Sequence, residues 1–78
     1  MSLKPTLNCW GEPQPQQGDI WKDADGQRSL ILETYEDDGD MLAVVLCLDN
    51  GERWGRESFI SWTEPWNDGI PFYRELVG

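Results

Sequence analysis

The chain contains no histidine, and only Cys9 and Cys47 among its 78 residues are cysteine. Without an imidazole or a Cys-x-x-Cys pair, a zinc site has no ligand set, and a cysteine nucleophile has no nearby base to raise its thiolate fraction. Basic residues are scarce: 6 lysines and arginines stand against 15 acidic side chains, for a net charge of −9. That balance excludes a protein whose affinity comes from gripping a phosphate backbone, where lysine and arginine are required. Long hydrophobic runs are missing too. The longest, Met41 to Leu48, is far too short to span a bilayer, and the opening Met1-Ser2-Leu3-Lys4-Pro5 has no apolar core of signal-peptide length. These features predict a soluble, cytoplasmic protein with two reduced thiols.

Length sets a further bound. A chain of 9.0 kDa folds to a surface of about 4,900 Å² and buries roughly 60% of what it exposes when unfolded. One thin core fits this budget; a nucleotide-binding domain or a two-domain active site does not. What the chain has in surplus is tryptophan, five residues in a sequence that is 38% hydrophobic, so the acidity does not force disorder.

Residues 1–17 hold Pro5, Pro13 and Pro15 in a polar setting and read as an irregular arm. It is either a loose leader with Trp10 tucked against the body or a proline-rich ligand for another domain. The body, residues 18–78, is a succession of short β-forming runs. Gly18 to Lys22 alternates apolar and polar residues and ends at Asp23-Ala24-Asp25-Gly26, a turn signal. Gln27 to Tyr35 forms a second strand, followed by a five-residue acidic loop, Glu36 to Asp40. Met41 to Leu48 is apolar on both faces, as in a central strand. Asn50-Gly51 then predicts a hairpin with a type I′ turn, whose two central residues both need positive φ. The return strand is Arg53 to Arg56, with Gly55 marking a bulge or a close backbone approach. Glu57 to Trp62 suggests one helical turn and a short strand, and Phe72 to Val77 fits either a strand or a short helix.

The segment Gly18-Asp19-Ile20-Trp21 with its turn at Asp23-Ala24-Asp25-Gly26 resembles the opening of small SH3-like barrel proteins, including short prophage-encoded ones. The resemblance covers residues 18–62. It implies a five-stranded barrel that serves as an interaction module and has no enzymatic site. Peptide-binding SH3 domains are less similar, since their Ala-Leu-Tyr-Asp-Tyr opening and paired tryptophans are missing. The expected fold is therefore all-β: a small, partly open SH3-like barrel of four to five short antiparallel strands with irregular terminal extensions.

No catalytic constellation, cofactor or metal ligand set emerges. Taking Gly26 or Gly39 as the sixth position of an EF-hand loop puts Trp21 or Thr34 first and Leu32 or Val45 twelfth, where oxygen ligands are required. Glu33 faces outward on its strand, and Cys47 is a small core side chain. Trp21 and Trp62 belong to the core, Trp54 fits either core or surface, and Trp10 and Trp66 cap the barrel ends or form a contact surface. Exposed aromatics ringed by carboxylates suit a cationic partner. The expected function is a non-enzymatic acidic module that binds a basic protein surface, as a phage or mobile-element accessory protein, with nucleic-acid mimicry as a specialised form. Its contacts are Asp37, Asp38 and Asp40 with Tyr35, Trp54 and Trp66. The alternative is a structural component acting through self-association.

Overall fold

β-branched and aromatic residues spaced at period two build the sheet, and turns with positive φ divide it. The computed structural model describes residues 4–65 and 69–78. Among them, five strands form one antiparallel sheet: β1 (Ile20–Asp23), β2 (Arg28–Asp37), β3 (Asp40–Cys47), β4 (Arg53–Ser58) and β5 (Tyr73–Leu76). A single helical turn, α1 (Ile60–Thr63), lies between β4 and β5. The strand order is β4-β3-β2-β1-β5. The chain thus runs as a four-stranded meander and then returns its last strand to the first. β4 and β5 remain the free edges of an open, all-β sheet.

β3 is the central strand that the sequence predicts, with Leu42, Ala43, Val44, Val45 and Cys47 all buried. Pairing carries one face across the sheet. Trp21 sits opposite Ser29, Ser29 opposite Cys47, Ile31 opposite Val45, and Val45 opposite Trp54. The core gathers on that face around Trp21, Ile31, Ala43, Val45, Trp62, Tyr73 and Leu76. Trp62 is its centre, stacked on Tyr73 at 4.1 Å between ring centroids and edge-on to Trp21 at 6.4 Å. The Trp21 indole N–H donates to Asp19 at 3.4 Å, whereas the buried Trp62 indole N–H has no partner among the described residues.

Several local expectations are revised. The acidic loop shrinks to Asp38-Gly39, because β2 and β3 continue until Asp37 pairs with Asp40. Both turn residues have positive φ, 55° and 85°, the conformation expected instead at Asn50-Gly51. There, only Gly51 is in that region, and the hairpin closes around four residues through Cys47 N–H to Glu52 O at 2.7 Å. The cause is long-range. Asp49 accepts the Arg28 backbone N–H at 2.6 Å and its guanidinium at 3.0 Å, which ties the loop to β2. The helical turn falls at residues 60–63, after β4, and the segment from Tyr73 forms a strand. In the N-terminal arm, Leu7 bridges to Pro13, Asn8 Oδ1 accepts the N–H groups of Trp10 and Glu12, and Pro15 is buried. Trp10 points away from the body, 81% exposed, because it rides the tip of this tight loop and not a segment laid on the sheet.

The Arg28 hydrogen bonds hold the Asp49 carboxyl below its ordinary value, the side-chain bond most and the backbone bond next. A carboxyl depressed in the folded state stabilises the fold above its unfolded value, about pH 4, and that contribution disappears as pH falls through the folded value. Thermal melts from neutral pH down to about pH 2 should therefore show a smaller acid-induced loss for Asp49→Asn than for the wild type. Parallel pH curves would refute this role for Asp49.

Candidate functional site

Three register shifts determine which polar side chains join the core face. On β4, Ala43 pairs with Glu57 and Val45 with Trp54, so β4 spends one more residue than β3 over the same span. The extra residue lies at Gly55-Arg56, where Gly55 suggested a bulge. Trp54 and Glu57, three apart, consequently face the same side. On β5, a shift opposite Lys22-Asp23 places Tyr73 against Asp23, while Leu76 stays opposite Trp21. A third shift lies between Ile31 and Glu33 on β2; Glu33 is exposed, as expected.

The result is a cavity of about 450 Å³ at the polar end of the core face, between the β1–β2 turn and the β3–β4 loop. Asp23, Asp25, Glu52 and Glu57 line it, and no lysine or arginine does. Trp54, Phe72 and Tyr73 supply aromatic walls, and Ser29 and Cys47 complete part of the lining. Asp23 is only 8% exposed. Its Oδ1 accepts the backbone N–H groups of Asp25 at 2.9 Å and Gln27 at 3.0 Å, closing the turn, while Oδ2 takes no part in it. Glu57 Oε1 accepts the Ser61 hydroxyl at 2.6 Å, and its Oε2 lies at a long 3.5 Å from the Tyr73 hydroxyl. Burial, and next the charge of Glu57, push the Tyr73 phenol above its ordinary value. Tyr73 therefore stays protonated at neutral pH, a hydrogen-bond donor and not a base.

The residues singled out from sequence do not form one surface. Asp37, Asp38 and Asp40 lie exposed at the β2–β3 turn, and Asp37 is paired with Arg56 at 2.9 Å. Tyr35 pairs with Leu42, on the face opposite Ala43 and Val45, and its hydroxyl donates to Gly55 O at 2.6 Å. It braces the bulge from behind. Trp54, 53% exposed, belongs to the other face and to the cavity. Trp66 lies outside the described residues. Asp23 and Glu57 were not among the sequence-derived contacts, although a signal existed for each: Asp23 shares the period of Trp21, and Gly55 marks the bulge that brings Glu57 to the side of Trp54.

Of the two thiols, Cys9 is exposed and Cys47 buried, and both are free. The Cys47 Sγ–H reaches Gln27 Oε1 at 3.8 Å, a weak contact at the cavity wall. Among the described residues no helix is long and apolar enough to cross a membrane. Comparison of the chain with protein-family models, with characterised proteins and with solved structures finds no match.

Proposed function

We infer that the chain is a non-enzymatic interaction module, an acidic SH3-like barrel that binds a basic protein surface. The observation that carries this reading is the cavity whose charged lining is acidic throughout and whose rim holds the half-exposed Trp54. Carboxylates steer a cationic partner into encounter, and the aromatic wall supplies short-range affinity. The SH3-like resemblance carries the barrel part of this reading, and a phage or mobile-element accessory protein acting on a host component is the corresponding role.

Nucleic-acid mimicry is the weaker form of this reading. It requires free carboxylates spaced like phosphates, yet Asp37 and Asp49 are held by Arg56 and Arg28, and four others gather around aromatic rings. Self-association is favoured by one specific feature: Trp54, in the edge strand β4, and Ile60, just after it, are exposed beside that free edge.

Titration with deca-lysine, followed by tryptophan fluorescence, tests the basic-partner reading. The expected result is binding that weakens at least tenfold between roughly 50 mM and 300 mM salt, as screening shortens the reach of the carboxylates. Equal binding of an uncharged peptide of the same length would overturn it. A particle size in light scattering that grows with concentration, without deca-lysine binding, would transfer the reading to self-association.

A further inference from the structure

We propose that the cavity receives one cationic side chain of the basic partner, its head between Asp23 and Glu57 and its aliphatic stem against Trp54 and Phe72. This inference rests on the basic-partner reading and locates it at a single receptor site. The first support is electrostatic. Asp23 is more than nine-tenths buried and has an oxygen outside the turn hydrogen bonds, and Glu57 Oε2 accepts only a long hydrogen bond, at 3.5 Å, from the Tyr73 hydroxyl among the described residues. The nearly buried Asp23 and the half-buried Glu57 face the same partly closed space with no counter-charge in its lining, and a cation entering between them offsets their mutual repulsion.

The protein cannot supply that cation from its own lining, which holds no basic residue. Arg28 and Arg56 are engaged elsewhere, with Asp49 and Asp37. A second support concerns shape. Among the described residues no three acidic or cysteine side chains gather closely enough to hold a metal ion. The carboxylates are instead spread around aromatic walls in a space of about 450 Å³, a volume suited to an organic group. An extended side chain with a charged head matches both features: aromatic faces cover its methylenes and attract the charge, and separated carboxylates accept several N–H groups.

The third support is the way the site is built. Glu57 faces the cavity only because the β4 bulge changes the parity of the strand. Tyr35, by donating to Gly55 O at 2.6 Å, holds that bulge from the opposite face. The inward carboxylate is thus held by the sheet itself and not by a loop.

Three peptides of the form acetyl-Gly-Gly-X-Gly-Gly-amide test the proposal, with X as arginine, lysine or citrulline, the last a neutral isostere of arginine. The readout is the indole N–H resonance of each tryptophan in an amide-correlation NMR spectrum, assigned with single Trp→Phe variants. Arginine and lysine peptides should move the Trp54 signal and leave that of Trp10 in place, with the preferred head group decided by their ratio. The citrulline peptide should bind at least about tenfold more weakly, as should the arginine peptide to Glu57→Gln, because a charge-assisted contact is lost in each case. Glu57→Gln keeps an acceptor for Ser61, and Asp23→Asn keeps one for the turn, so either serves if the other fails to fold. Asp38→Asn, at the exposed β2–β3 turn, should change affinity less than twofold. Equal effects of Glu57→Gln and Asp38→Asn, or equal binding of the citrulline peptide, would overturn the cavity assignment. If deca-lysine binds but the arginine and lysine peptides leave Trp54 unmoved, the cavity assignment fails and the basic-partner reading stands. If no basic probe binds, both fail.

Discussion

Trp62→Ala is expected to cost about 3–5 kcal/mol, the range for emptying a buried aromatic site. A domain of this length has a total stability of about 4–12 kcal/mol, so the substitution should remove from about a quarter to all of it and shift the urea midpoint accordingly. Local structure explains why the site cannot collapse cheaply. α1 is four residues long, too short to persist without tertiary contacts, and Trp62 is the residue it buries. The indole touches Trp21, Phe59 and Tyr73, and through them connects the end of β4 to β1 and β5. Trp62→Phe separates two contributions. It loses ring volume but also removes the indole N–H that is buried without a partner among the described residues, whose desolvation costs about 1–3 kcal/mol. Its net effect should be no more than about 1 kcal/mol. Urea unfolding followed by circular dichroism measures both variants. A Trp62→Ala protein within about 1 kcal/mol of wild type would mean that α1 is not the plug of this core.

Asp23→Ala should destabilise by about 2–4 kcal/mol, because two backbone N–H groups lose a charged acceptor at a site nearly closed to water. Asp23→Asn retains an amide oxygen in the same place and should cost only about 1 kcal/mol. The two substitutions remove the same charge, so the gap between them reports the turn alone. Similar urea midpoints for Ala and Asn would show that the carboxylate does not organise the β1–β2 turn. Asp23 thus closes the turn through one oxygen and also lines the cavity.

Much of the strand pattern was legible because its causes are local. Alternation at Ile20-Trp21-Lys22, an eight-residue apolar run at β3 and Asp-Gly or Asn-Gly between runs are read within a few residues of one another. The details of the turns were less accessible. Asp38-Gly39 and Asn50-Gly51 carry similar signals, yet only the first pair takes two positive φ values. The second is drawn into a wider loop by Asp49, whose partner Arg28 is 21 residues away. Propensity ranks the turns a dipeptide tolerates, and a distant hydrogen bond selects among them.

The site follows the same division. Acidic side chains at Glu36 to Asp40 draw attention in the sequence because they are consecutive, but they sit on an exposed turn where one is already paired with Arg56. The carboxylates of the cavity are dispersed along the chain at positions 23, 25, 52 and 57. No local density marks them.

The scarcity of histidine, cysteine and basic residues, read from the sequence by itself, determined the charge and removed whole classes of chemistry. Period-two alternation determined an all-β meander. Which carboxylates turn inward was decided only by the tertiary structure. A strand's faces alternate strictly until a bulge inverts them, and a bulge is defined by two strands in register. Glu57 joins Trp54, and Tyr73 joins Asp23, through shifts of that kind. An excess of negative charge thereby becomes a cavity with a direction and an aromatic wall.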